Sequence, residues 1–350
     1  MKPSPRLPPS RLGALAELLR NRSLDGALFF GESNIRSLTG IACDNAALEI
    51  SLAGCREPRF RLYTDFRYAP MVRRLAPWLR IGDIRRVRVR GGRIGYEPSI
   101  SHARFIELEK NHPGAEFVDA EQDVLRLRAM KTTEEIASVR AAEELTCEIW
   151  REARSLFRAG MTERDMARII CRMMVERGDG EAFPTIVCIG ANAAECHHMP
   201  DGTVWDGRAP VLVDMGVKLD GWCSDLTRNI VPARPSLLYR QIYGLVEEAN
   251  RAAIAAVRPG ITCGALDRTA RRIIEKGGFG KCFGHALGHG VGLDIHEAPT
   301  ARKGNATVLE PGMIVTIEPG IYLEGNLGVR IEDLVLVTQT GCEVLSTQAD

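Results

Sequence analysis

Apolar positions set the first division of this chain. Ile136, Val139, Ala142, Thr146, Ile149, Ala153 and Leu156 recur every three or four residues, the spacing of a helix that buries one stripe. Thr132-x-x-Glu135 reads as a capping box opening that helix, and Gly160 as its stop. A second helix is expected from Thr162 to about Arg177, and two more over Ser236 to Val257 and Cys263 to Lys276. Between and after them lie strand-like runs at 185–189, 211–216, 222–230, 313–323 and 328–338. Antiparallel runs mixed with helices predict an α+β domain.

The region before this one reads differently. From Leu12 to about Asp119 helical text ("LGALAELLR") alternates with short apolar strands ("GALFF", "FRLYTDFRYAP", "GGRIGYE"), a smaller α/β unit. At 350 residues the chain exceeds one comfortable core. The expected division is 1–124 and 125–350. "RRVRVRGGR", Arg85 to Arg93, alternates arginine with valine and reads as a strand with a solvated face.

Two acids interrupt the apolar text "VLVDMGVKLDGWCSDLTRNI". Asp214 ends a run of strand-formers and Asp225 stands on the return. A buried carboxylate without a partner costs several kcal/mol or gives up its charge. A turn centred between Leu219 and Asp220 sets Asp214 opposite Asp225; a turn centred on Asp220-Gly221 sets it opposite Thr227. The bland reading is an Asx turn at Asp214 and a salt bridge from Asp225 to Arg228.

The C-terminal third repeats the anomaly. Glu318 and Glu332, 14 residues apart, flank the turn Gly325-Asn326-Leu327-Gly328, as facing acids of a second hairpin would. Arg330 is the neighbour that would otherwise neutralise Glu332. His285, His289 and His296 stand among glycines in "FGHALGHGVGLDIHEAP". Four carboxylates and one imidazole suit a pair of divalent transition ions.

The motifs "VDMG…CSDLTR", "GHGVGLDIHE", "TIEPGIY" and "GVRIED", in this order, resemble the pita-bread metallopeptidases, which include prolidase, aminopeptidase P, methionine aminopeptidase and the metal-free creatinase. "ESNIRSLTGIACDNAAL" and "YTDFRYAP" resemble the creatinase-type domain that precedes the prolidases and aminopeptidases P. The resemblance implies Asp214, Asp225, His289, Glu318 and Glu332 as metal ligands, with Asp225 and Glu332 serving both ions. It implies His197 and His296 as histidines on the substrate side. The chemistry of the reaction makes Glu318 a candidate proton shuttle as well as ligand, and Arg330 and His197 remain as groups to cap the substrate end of the site. The implied reaction is hydrolysis of Xaa-Pro bonds at the N-terminus of short peptides. Two divalent ions, manganese favoured over cobalt, zinc or iron, would lower the pKa of a bound water toward neutrality.

Some positions depart from the family text. Trp222 replaces a common tyrosine, Arg228-Asn229 replaces Arg-Thr, and Asp206-Gly207-Arg208 replaces a usual Gly-Asp. Thr300 follows "HEAP" where many dipeptidases carry an arginine for the substrate carboxylate. No ligand position is changed, which argues against a non-catalytic binding module or a creatinase-like reaction on the same scaffold.

The remaining chemistry is quiet. His198 and His285 are expected to pack or support, His102 and His112 to lie on the surface, and Cys196 and Cys223 to form half-buried wall. A net charge of +1 offers no argument for nucleic acid or membrane binding. No 18-residue apolar run occurs, and the proline-rich, charged N-terminus does not read as a signal peptide. Ten cysteines without a C-x-x-C pair point to reduced thiols in the cytoplasm, and the layout of relatives to a homodimer.

Overall fold

A computed structural model describes residues 9–346 except 53, 55, 56 and 90. The expectation about the extreme N-terminus therefore lies partly outside the described residues. The chain divides into Met1–Arg128 and Ala129–Asp350. No helix among the described residues is long and apolar enough to cross a membrane.

The first unit runs α1 (Pro9–Asn21), β1 (Gly26–Phe29), α2 (Glu32–Thr39), β2 (Ala46–Ser51), β3 (Arg59–Thr64), α3 (Ala69–Leu75), β4 (Arg80–Asp83), β5 (Gly92–Tyr96), α4 (His102–Asn111), β6 (Ala115–Asp119) and α5 (Glu121–Ala129). Its six strands form one mixed sheet in the order β4-β3-β2-β1-β5-β6. Leu15, Leu19, Phe29, Ile35, Leu48 and Leu62 are its fully buried heart. Val124 is buried in the same core with Leu127 packed against it, so α5 belongs to this unit.

Two expectations for this unit fail. The arginine-rich stretch begins with a 3-10 turn, Ile84–Arg86, and regular strand resumes only at Gly92; Arg90 lies outside the described residues. His112 is buried, its Nδ1 bonded to the Leu108 carbonyl at 2.8 Å. The last turn of an amphipathic helix gave the ring a carbonyl to bond, which a surface reading overlooked.

The second unit opens with α6 (Thr133–Leu156) and α7 (Glu163–Arg177), each started by a complete capping box, at Thr132/Glu135 and Thr162/Asp165. α6 ends at Leu156, earlier than expected, because Phe157 turns extended and sinks into the core; Gly160 serves the following loop. Then come β7 (Gly180–Glu181), β8 (Ile186–Ile189), β9 (Val211–Met215), β10 (Val217–Leu219), β11 (Trp222–Cys223), β12 (Leu226–Ile230), α8 (Leu237–Ala256) and α9 (Cys263–Lys276). The chain finishes with β13 (Gly288–Gly290), β14 (Glu297–Ala301), β15 (Ile314–Ile317), β16 (Gly320–Leu323), β17 (Leu327–Arg330), β18 (Asp333–Val337) and β19 (Cys342–Val344). The larger sheets order as β12-β9-β8 and β14-β13-β15-β18-β19. Helices α8 and α9 bury Ile242, Val246, Leu266 and Ala270 with Val315, Ile317 and Val335 of the strands.

The aspartate hairpin takes its register from local chemistry. Asp220 and Gly221 both adopt positive φ, 47° and 73°, as a type I′ turn requires. Leu219 thus faces Trp222, and Asp214 faces Thr227. Asp214 and Asp225 are not cross-strand partners. Between β11 and β12 the ladder breaks: a Cβ on Gly216 would stand 2.1 Å from the Ser224 carbonyl oxygen. Asp225 sits in that break, with its N–H donating to Glu143 Oε2 at 3.2 Å.

Candidate metal centre

The two hairpins meet through one backbone bridge. Glu332 N–H donates to the Thr227 carbonyl at 3.2 Å, and Thr227 Oγ1 donates to Glu332 Oε2 at 2.7 Å. The second hairpin keeps one register across its break, pairing Ile317 with Asp333 and Gly320 with Arg330. Glu318 and Glu332 fall in the gap between those ladders, on opposite arms of the hairpin. Asn250 of α8 donates to the carbonyls of Ile317 and Ile331 at 3.0 and 3.4 Å, the residues just before each glutamate. An amide buried in the apolar face of α8 is the signal that could have revealed it.

His289 arrives from β13, where a Cβ on Gly288 would stand 1.9 Å from the Thr316 carbonyl oxygen. This close approach explains the glycine beside the histidine. Thr316 Oγ1 accepts from His289 N–H at 3.0 Å and donates to Glu318 Oε1 at 3.4 Å. His289 Nδ1 lies 3.0 Å from the Gly290 carbonyl; a carbonyl only accepts, so the proton is on Nδ1. The Nε2 lone pair then points at Asp225 Oδ2 and Glu318 Oε1, each 3.5 Å away. Asp225, His289 and Glu332 each offer a ligand atom within 4.8 Å of the others.

The electrostatics of this cluster are unfavourable without a cation. Burial, then the Glu332, Asp214 and Glu318 charges, push the Asp225 carboxyl far above its ordinary range. Burial and its acidic neighbours do the same to Glu332. Burial raises Glu318 to about 8, with Arg330 opposing. Burial lowers His289 to about 4, so its ring is neutral at pH 7. Asp214 Oδ1 is buried with no hydrogen-bond partner. Such a donor set fits divalent cations, which would hold the carboxylates ionised and take up the Nε2 lone pair.

Arg330 departs from its expected substrate role. It is 3% exposed, and each guanidinium nitrogen is engaged: Nη2 with Asp214 Oδ2 at 2.6 Å, Nε with Thr227 Oγ1 at 3.1 Å, Nη1 with the Tyr322 hydroxyl at 2.9 Å. It grips one expected ligand directly and another through Thr227. Arg228 Nη2 bonds Asp333 Oδ1 at 2.7 Å. Tyr322 also meets His285 Nε2 at 2.9 Å, so His285 stands behind the cluster as a support. Burial lowers His285 to about 4, with Arg330 adding to the effect.

His296 is exposed and its ring lies edge-on to His289, centroids 4.4 Å apart. His197 is also exposed, and its charge depresses both His296 and His285 behind the larger effects of burial and, for His285, Arg330. Both histidines are exposed, and His296 also feels the charge of Asp214. Cys223 is fully buried, its thiol directed to the Leu293 carbonyl at 3.7 Å, whereas Cys196 is half-buried. The half-buried expectation holds for Cys196 alone.

A second cluster, Glu163, His198 and Asp201, also brings ligand atoms together. Its carboxylate is already saturated. Glu163 Oε1 accepts from Ile189 N and Asn192 Nδ2, and Oε2 from His198 Nε2 and Asp201 N, all at 2.7–3.0 Å.

With this geometry in hand, likeness to known proteins becomes informative. Residues 137–339 match metallopeptidase family M24, and residues 11–130 match the creatinase/prolidase N-terminal domain. The chain belongs to family M24, of the prolidase and aminopeptidase P type. A Xaa-Pro dipeptidase of Lactobacillus helveticus is 41% identical over 246 residues, 69% of this chain and 66% of that protein. A Xaa-Pro dipeptidase structure from Bacillus anthracis superposes with TM-score 0.88 at 30% identity, covering 96% of this chain and 97% of the other. An X-Pro aminopeptidase structure from Thermotoga maritima gives TM-score 0.82 at 28% identity, covering 95% and 97%. Alignment to the curated relatives spans 66% of their length. The architecture is thus a creatinase-type unit followed by a pita-bread unit, and family M24 implies use of divalent metal.

Proposed function

We propose that this protein hydrolyses Xaa-Pro bonds at the N-terminus of short peptides, with Asp214, Asp225, His289, Glu318 and Glu332 holding two divalent cations. The observation that carries the reading is the neutral His289 lone pair aimed at two buried carboxylates, beside the unpartnered Asp214 oxygen. Four carboxylates balance the charge of two such cations, and the oxygen-rich donor set favours manganese among manganese, cobalt, zinc and iron. Bound cations supply an activated water at neutral pH and polarise the scissile carbonyl.

The protein's own groups do the rest. Arg330 fixes Asp214 directly and Glu332 through Thr227. His296 presents an N–H to the oxyanion that develops on the scissile carbonyl, and His197 flanks the same approach. Glu318 accepts the proton of the attacking water and passes it to the departing proline nitrogen. One C–O bond forms, the C–N bond breaks, and the proton ends on the amine. The cytoplasm as location is supported by the nine described cysteines standing as free thiols. A homodimer is the assembly this reading carries, and the sedimentation mass of the purified protein tests it.

Hydrolysis of Ala-Pro against Ala-Pro-Ala by metal-reconstituted protein tests the activity. With Thr300 in place of a carboxylate-binding arginine and Arg330 engaged elsewhere, the longer peptide is expected to be preferred modestly, by less than ~100-fold. Inactivity on both peptides with both metals bound would sink the reading.

A further inference from the structure

Lys131 and Glu297, 166 residues apart, form an ion pair at 3.1 Å with side chains only 1% and 4% exposed. A buried pair of this kind is poorly explained by stability, since apolar side chains would serve as well or better. Its surroundings are rigid on both sides. Lys131 N–H donates to the Gly312 carbonyl at 3.0 Å, and the next residue, Thr132, caps α6. Glu297 uses its other oxygen to accept Asp294 N–H at 3.0 Å, and a Cβ on Gly292 would stand 2.6 Å from its carboxylate. The carboxylate therefore ties down the whole turn that precedes His296.

The register gives this anchor a direction. Glu297 opens β14 directly opposite Gly290, at the bulge after His289. Its chain neighbour His296 is exposed, with its ring edge-on to that of His289.

We propose that Lys131 and Glu297 are positioning residues that hold His296 against His289. This rests on the catalytic reading of His296 given above, and the test separates the two. Removing one partner alone takes the counter-ion from a buried charge and threatens folding. The charge-free double variant Lys131→Met/Glu297→Gln keeps the acceptor for Asp294 N–H and carries the experiment.

Three readouts are compared in the parent and in a His296→Ala background: histidine ring resonances by NMR in metal-free protein, metal content, and peptide turnover. His296→Ala assigns the His296 signal among seven histidines. The double variant is expected to shift that signal, retain the parent's metal content, and lower kcat by roughly 10–100-fold with KM little changed. In the His296→Ala background the same pair of changes should cost less than ~2-fold, because the two act through one group. An unmoved His296 resonance, or an equal loss of kcat in both backgrounds, would overturn the positioning role. A shifted resonance together with a silent His296→Ala variant would support the positioning while removing His296 from the chemistry.

Discussion

The second unit contains two clusters that look alike in composition: Asp225, His289 and Glu332, and Glu163, His198 and Asp201. Each joins a histidine to two carboxylates within ligating distance. They differ in how their polar atoms are satisfied. Glu163 takes four hydrogen bonds, two from the backbone N–H groups of Ile189 and Asp201, one from the Asn192 amide and one from His198. The other cluster leaves Asp214 Oδ1 without a partner, aims a lone pair at carboxylates, and crowds four acids behind low exposure. Residue type makes a ligand set conceivable; uncompensated charge makes it a candidate.

Breaking the uncompensated cluster should have the largest effect. Asp225→Asn removes a charge expected to serve both cations, so at least one ion should be lost per chain along with nearly all turnover. Elemental analysis giving the parent's metal content would refute the five-ligand assignment. His296→Ala should come next, keeping both metals but losing ~10²–10³-fold in rate, the usual cost of one oxyanion donor. Turnover within about a factor of three of the parent, well short of that range, would reduce His296 to a wall residue.

Disturbing the satisfied cluster should cost stability instead of metal. Glu163→Gln turns an amide N–H2 toward N–H donors and leaves buried donors unmet, at ~1–3 kcal/mol. A melting midpoint lowered by several degrees with unchanged metal content is expected. Loss of metal in this variant would erase the contrast between the clusters. The smallest effect is a pH dependence. His198 is raised above its ordinary value because the Glu163 bond and charge outweigh its burial. Its charged form is favoured by folding, so that contribution is fully present below a pH of about 6.5. It fades as pH rises through the folded value. The melting difference between the parent and His198→Gln should therefore narrow from pH 6 to pH 8. A widening gap would mean that His198 is held neutral.

Much of this could be read along the chain. Both capping boxes, all four long helices of the second unit and the two acid-bearing hairpins stand near their expected places. The sequence motifs also picked out the histidine that meets the acids. The first hairpin's register was open between two turns, and Asp220-Gly221 carries the chemistry that decides it, since both positions tolerate positive φ. The arginine-rich run misled because alternation alone does not make a strand: its first residues wind into a 3-10 turn, and the Arg88 carbonyl takes its bond from the Tyr63 hydroxyl. Arg330 misled because a cation near a peptide site invites a substrate role, whereas the fold turns it onto Asp214.

By itself the sequence determined the local objects: amphipathic helices, turns with positive φ, and acids at positions where a strand would otherwise bury valine. These depend on periodicity and turn chemistry over a few residues. The tertiary structure decided which objects meet. Thr227 reaches Glu332 across 105 residues, Asn250 reaches the carbonyls before two glutamates, and Lys131 reaches Glu297 across 166 residues. No local preference encodes such pairings. They arise because buried donors, acceptors and charges must each find a partner once packing has excluded water.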